Sequence, residues 1–167
     1  MKMPSTHDQT RASDVLEGGA TVVWNGDLKS GEGSLRFELG AGGELRLLWP
    51  GSDAYGAGAT SPEELVAAAH AACLTMTLAH TLARSGHVPR KLTVEATSFF
   101  AVSENVRMIS RSLLNITVDA AGLTEANLAE AAELAGRYCP VSNTLRAAGV
   151  ALDVKAHLVA GTGSEST

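Results

Sequence analysis

The sequence predicts an α+β fold: antiparallel β-sheets with two main helices packed against them. Three observations predict it. Residues 20–26, 34–39 and 44–49 are short alternating segments parted by Gly-rich turns. Residues 65–84 form a long run rich in Ala, Leu and Met behind a helix-start signature. Strand-like segments then recur after this helix and again after a second one. The order βββ-α-ββ-α-β segregates helices against antiparallel sheet.

Each element has a local reason. Residues 20–26 carry β-branched residues and Trp24, then the turn residues Asn25, Gly26 and Asp27. Leu35, Phe37 and Leu39 share one face of the second strand, and Leu45, Leu47 and Trp49 share one face of the third. Residues 50–60 are a Gly/Ala/Ser loop. Ser61-Pro62-Glu63-Glu64 places Ser61 at the N-cap, Pro62 at the first helical position and Glu64 at the capping-box position. Gly86 suits the stop, giving a helix about 35 Å long at 1.5 Å per residue. Its charges sit at its ends, so its middle is expected to be buried on more than one side. Residues 91–100 and 107–120 read as a strand pair turning through Ser103-Glu104-Asn105. Thr124 caps a helix over 125–138, Pro140 interrupts it, and 141–148 continue briefly. Residues 150–159 form a last strand.

Residues 1–19 read as a mobile tail and 161–167 as a mobile C-terminus, which leaves 20–160 as one domain. At 167 residues the chain is long enough to bury a core. The net charge is −5 with no basic block, so no nucleic-acid partner is expected. No apolar run is expected to approach the roughly 20 residues that cross a bilayer, and the polar start is unlike a secretory signal. A cytoplasmic location with no membrane partner is the expectation, where thiols stay reduced. The two cysteines are then either buried bystanders or a working pair. They lack metal-ligand spacing, and the five histidines (His7, His70, His80, His87, His157) are scattered, so no metal is expected.

Cys73 lies mid-helix in Ala-Ala-His-Ala-Ala-Cys-Leu-Thr-Met. Its bland reading is a small hydrophobe in a core. As a nucleophile it needs a cation or donor from elsewhere, because an apolar helix middle raises a thiol pKa. Cys139 precedes Pro140 at a helix N-terminus, where N–H groups and the dipole favour a thiolate. On local physics Cys139 is the better thiolate of the two. Their separation of 66 residues leaves open whether the sulfurs meet. Glu63 is about 15 Å along the helix from Cys73 and is otherwise a helix-start acid complementing the dipole. His70, three residues before Cys73, raises a Cys–His hydrolase as an alternative. His80 is taken as a packing histidine.

Three motifs carry a family resemblance. Trp24-Asn25-Gly26-Asp27-Leu28-Lys29-Ser30-Gly31-Glu32-Gly33 resembles the early W-x-G-D-x-x-x-G-x-G segment of OsmC proteins. Ser61-Pro62-Glu63-Glu64-Leu65 with Ala68-Ala69-His70-Ala71-Ala72-Cys73 resembles their first-cysteine helix. Cys139-Pro140-Val141-Ser142 resembles their second-cysteine motif. The matches fall in order and cover roughly residues 20–160. The resemblance to the OsmC/Ohr family implies an intertwined α+β homodimer with sites at the subunit interface. It implies a peroxidase acting on organic hydroperoxides and hydrogen peroxide in oxidative-stress defence. It further implies that Cys73 is oxidised first to a sulfenic acid, that Cys139 resolves it as a 73–139 disulfide, and that Glu63 orients an activating arginine. An external dithiol, often lipoyl-linked, would reduce the pair, and no bound cofactor is implied.

One departure matters. The family's arginine lies ten or eleven residues before the glutamate, which here gives Asp53 or Ser52, neither cationic. In the Ohr group it lies earlier, where this chain has Lys29. Arg46, Arg36 and Arg111 on expected strands are candidate replacements, with Arg46 nearest in sequence, and each singly has the reading of a solvent-facing strand charge. A non-catalytic member of the fold that binds a small apolar ligand is therefore the alternative function.

Overall fold

Pro62 opens the longest helix among the described residues, and the structure divides immediately before it. The computed structural model describes residues 18–56 and 58–159. Most of the expected N-terminal tail, residues 1–17, and the expected mobile end, 161–167, lie outside the described residues. On either side of the Ser61–Pro62 junction the chain forms a compact unit.

The first unit is a three-stranded antiparallel meander of β1 (Ala20–Asn25), β2 (Glu32–Phe37) and β3 (Glu44–Leu47), in that spatial order. Val22 pairs with Leu35, and Leu35 with Leu45. The β1–β2 connection explains why its sequence is so particular. The Asp27 carboxylate accepts the backbone N–H groups of Lys29 (2.8 Å) and Ser30 (3.0 Å), and also the Ser30 hydroxyl. Those bonds, the Ser30 hydroxyl first, hold the Asp27 carboxyl below the ordinary carboxylate range. Gly31 is required there: a Cβ would lie 2.3 Å from the Asp27 carbonyl oxygen. After β3 the chain loops out and returns beside it, where Thr60 N–H donates to the Arg46 carbonyl and Leu48 N–H to the Thr60 carbonyl.

The second unit contains α1 (Pro62–Arg84), β4 (Lys91–Ser103), β5 (Val106–Asp119), α2 (Glu125–Tyr138), α3 (Pro140–Ala147) and β6 (Ala151–Leu158). β4 and β5 are a long hairpin joined by Glu104 and Asn105, both at positive φ, as a two-residue turn of right-handed twist requires. β6 pairs with β5 in parallel, so this sheet is mixed rather than purely antiparallel. The reason is topological: α2 and α3 carry the chain back across the sheet, and such a crossover returns it in the same direction.

Helix α1 buries one stripe, His70, Leu74, Leu78 and Leu82, at a spacing of four residues. Leu114, Ile116 and Val118 from β5 and Leu128, Ala132 and Ala135 from α2 join it in the core. The opposite face, including Ala68, Ala69, Ala72, Met76 and Ala83, is exposed. The helix is thus covered on one side, not on several as expected. By length and composition α1 is also apolar enough to cross a membrane, which corrects the expectation that no run approaches that length. Its leucine stripe instead packs on sheet and helix.

Candidate functional site

Pro140 shapes the site through the residue before it. A residue preceding proline is kept out of the α region, and Cys139 accordingly adopts φ −71°, ψ 113°. The chain breaks helix there and restarts at once. Cys139 therefore ends α2, its N–H donating to the Ala135 carbonyl (2.8 Å), and caps α3, its sulfur accepting the Ser142 N–H at 3.4 Å. Its side chain is fully buried.

Cys73, half-buried on α1, meets it. The two sulfurs are 3.1 Å apart in S–H···S contact, and both thiols are free. Burial pushes the Cys73 thiol above its ordinary value. The Val141 N–H pulls it back, and the neighbouring Cys139 thiol adds to the rise. First-turn amides of α3 thus reach both sulfurs, Val141 toward Cys73 and Ser142 toward Cys139.

His70 is not a partner of Cys73. Its ring is completely buried, with Nδ1 2.8 Å from the Ser112 hydroxyl and Nε2 2.8 Å from the Ser142 hydroxyl. Both nitrogens are occupied, which removes the geometric basis of a Cys–His hydrolase couple. Burial first, then the positive charge of Arg146, lowers the His70 pKa and keeps the imidazole neutral. Ser112 escaped the sequence reading, yet a signal existed. It shares the inward phase of β5 with Leu114, Ile116 and Val118, and a lone hydroxyl on that buried face calls for a buried partner.

The other candidates fall as follows. Glu63 lies in the first turn of α1, with Oε2 buried and without a hydrogen-bond partner. Arg46 on β3 ion-pairs with Glu32 at 2.9 Å. Arg36 pairs with Glu44, and Arg111 pairs with Asp153 while stacking over the Phe99 ring at 5.2 Å. All three guanidiniums are thus engaged by strand carboxylates. His80 is exposed rather than packed: it lines a cavity of about 890 Å³ with Thr77, Arg84, His87, Leu134 and Tyr138.

Comparison with known proteins agrees with this fold. A family model described as OsmC-like protein matches residues 54–155. Peroxiredoxin OsmC of Escherichia coli (strain K12) is 30% identical over 124 residues, covering 74% of this chain and 86% of that one. The OsmC-like protein of Mycoplasma pneumoniae superposes with a TM-score of 0.70 at 16% identity, covering 87% of this chain and 99% of that one. The organic hydroperoxide resistance protein OhrB of Bacillus subtilis gives 0.64 at 24%, covering 84% and 98%. The last two establish likeness of fold; the family match and the Escherichia coli relative establish kinship, and the chain belongs to the OsmC family.

Proposed function

We propose that this protein is a thiol-dependent peroxidase that reduces organic hydroperoxides, and hydrogen peroxide, through the pair Cys73 and Cys139. The observation that carries the reading is the 3.1 Å separation of the two sulfurs. The Cys73 thiolate attacks the outer peroxide oxygen and the O–O bond breaks. The alcohol leaves with a proton, and Cys73 becomes a sulfenic acid. Cys139 then attacks the Cys73 sulfur, hydroxide departs, and the thiol proton completes it to water. The product is a 73–139 disulfide, whose sulfurs close from 3.1 Å to about 2.05 Å. An external dithiol, lipoyl-linked in our reading, returns both thiols by exchange. Kinship with a protein named a peroxiredoxin supports this assignment.

Glu63 and Arg46 complete the proposal. A thiol pushed up by burial needs a cation to become a nucleophile at neutral pH. Arg46, the candidate nearest in sequence, is the proposed cation, and Glu63 is the proposed orienting acid. The exposed Ala68–Ala69–Ala72–Met76 face of α1 supports a homodimer in which a second copy covers it. We place the protein in the cytoplasm, where dithiol reductants operate.

The test is stoichiometric. One equivalent of organic hydroperoxide should remove two free thiols per chain and leave a 73–139 disulfide by peptide mapping. Two thiols that survive excess peroxide would favour the second reading, a non-catalytic ligand-binding member of the fold. The raised Cys73 pKa is the observation on that side.

A further inference from the structure

Among the described residues, the buried His70 has no part in the peroxidase reading. His70 bridges three elements: it sits on α1, bonds Ser112 on β5, and bonds Ser142 in the first turn of α3. Ser142 is the residue whose backbone N–H reaches the Cys139 sulfur. A neutral imidazole offers one donor and one acceptor, so one serine accepts from the ring and the other donates to it. All three side chains are essentially without solvent, at 0%, 0% and 2% exposure. Water cannot replace a lost bond there without rearrangement.

We propose that His70 is a positioning residue for disulfide closure: by holding Ser142 it fixes the start of α3 and keeps Cys139 aimed at Cys73. The inference rests on the peroxidase reading only for its place in the cycle. It separates the two chemical steps. First oxidation needs Cys73 and a peroxide, whereas both ring nitrogens of His70 are held by Ser112 and Ser142. Closure needs the Cys139 sulfur to advance on Cys73 by about 1 Å without losing its aim, and that aim belongs to the α3 first turn. His70 does not take the proton, since both ring nitrogens are already engaged.

The geometry supplies a conservative pair of variants. An Asn at 70 places its amide near the Nδ1 position and keeps the Ser112 bond. A Gln reaches toward the Nε2 position and keeps the Ser142 bond. Closure can be timed without peroxide using dithiobis(nitrobenzoate). The first thiol displaces one nitrothiolate and forms a mixed disulfide on Cys73. Cys139 then attacks the Cys73 sulfur and expels the second nitrothiolate.

Stopped-flow release should show the first step within about twofold of the parent in every variant. The second step should slow about tenfold or more in His70→Asn and Ser142→Ala, and recover in His70→Gln. The double variant His70→Asn/Ser142→Ala should be no slower than either single one. Circular dichroism confirms the fold of each. Second-step rates equal to the parent in both His70→Asn and Ser142→Ala would overturn the proposal. So would equal slowing of both steps, the signature of general loosening. A parallel arm uses tert-butyl hydroperoxide with dimedone trapping. Failure of Cys139→Ser, which cannot close the disulfide, to form a trapped sulfenate there sinks the peroxidase reading, while the nitrothiolate result on the parent still decides the role of His70.

Discussion

The sulfur of Cys139 lies 3.1 Å from that of Cys73, although 66 residues separate them in the chain. No disulfide joins them, and both belong to the same unit of the fold. The contact is made by a helix break at Pro140 delivered onto the middle of α1.

The roles of the two cysteines separate on substitution. Cys73→Ser should abolish peroxide turnover, a loss of at least about a thousandfold given that the thiolate is the nucleophile. Cys139→Ser should still consume one equivalent of peroxide and then stall, with a persistent sulfenate seen by mass spectrometry. Continued turnover of Cys139→Ser at the parent rate would remove Cys139 from the cycle.

The activating cation is tested by comparing stability with reactivity. Arg46→Ala breaks an exposed ion pair with Glu32, worth about 0–1 kcal/mol, so the urea midpoint should hardly move. If Arg46 serves Cys73, sulfenate formation should fall about tenfold or more, since a neighbouring guanidinium shifts a pKa by about 1–3 units. An unchanged rate returns Arg46 to the role of a strand charge.

The pH dependence of oxidation follows from the burial of Cys73. Its pKa is raised, and only the thiolate attacks peroxide. Without a cation at the sulfur, the rate of single-turnover oxidation should keep climbing past about pH 8.5, the ordinary thiol value. A plateau reached well below that value would reveal a cation beside Cys73.

His70 makes stability sensitive to acid. Its folded pKa is lowered, so the unfolded chain takes up the proton first as pH falls. The contribution is full above the unfolded value of about 6.5 and is lost as pH falls through the lower folded value. Urea midpoints measured from neutral pH downward should decline more steeply for the parent than for His70→Gln. Identical slopes would assign the acid loss to other groups.

Packing of the α1 stripe is tested at Leu78, which is fully buried and belongs to the core cluster that also holds β5 and α2 residues. Leu78→Ala should cost about 2–5 kcal/mol by chemical denaturation. A cost under about 1 kcal/mol would mean that the site collapses around the cavity.

The sequence by itself determined the elements. Alternation at Leu35 and Leu45, the Ser61-Pro62 start, the Thr124 cap and the Cys139-Pro140 break are instructions carried within a few residues, and the structure has strands and helices where they point. It also named the chemically interesting residues, because Cys73 and Cys139 sit in recognisable local motifs. Only the tertiary structure decided what meets what. The parallel pairing of β6 on β5, the serines that occupy both nitrogens of His70, and the 3.1 Å between the sulfurs join residues roughly 40 to 70 positions apart. Periodicity reports the face a residue presents and says nothing of what will face it. Long-range contacts are chosen by the shared burial of α1, α2 and β5, a property of the assembled core and of no segment within it.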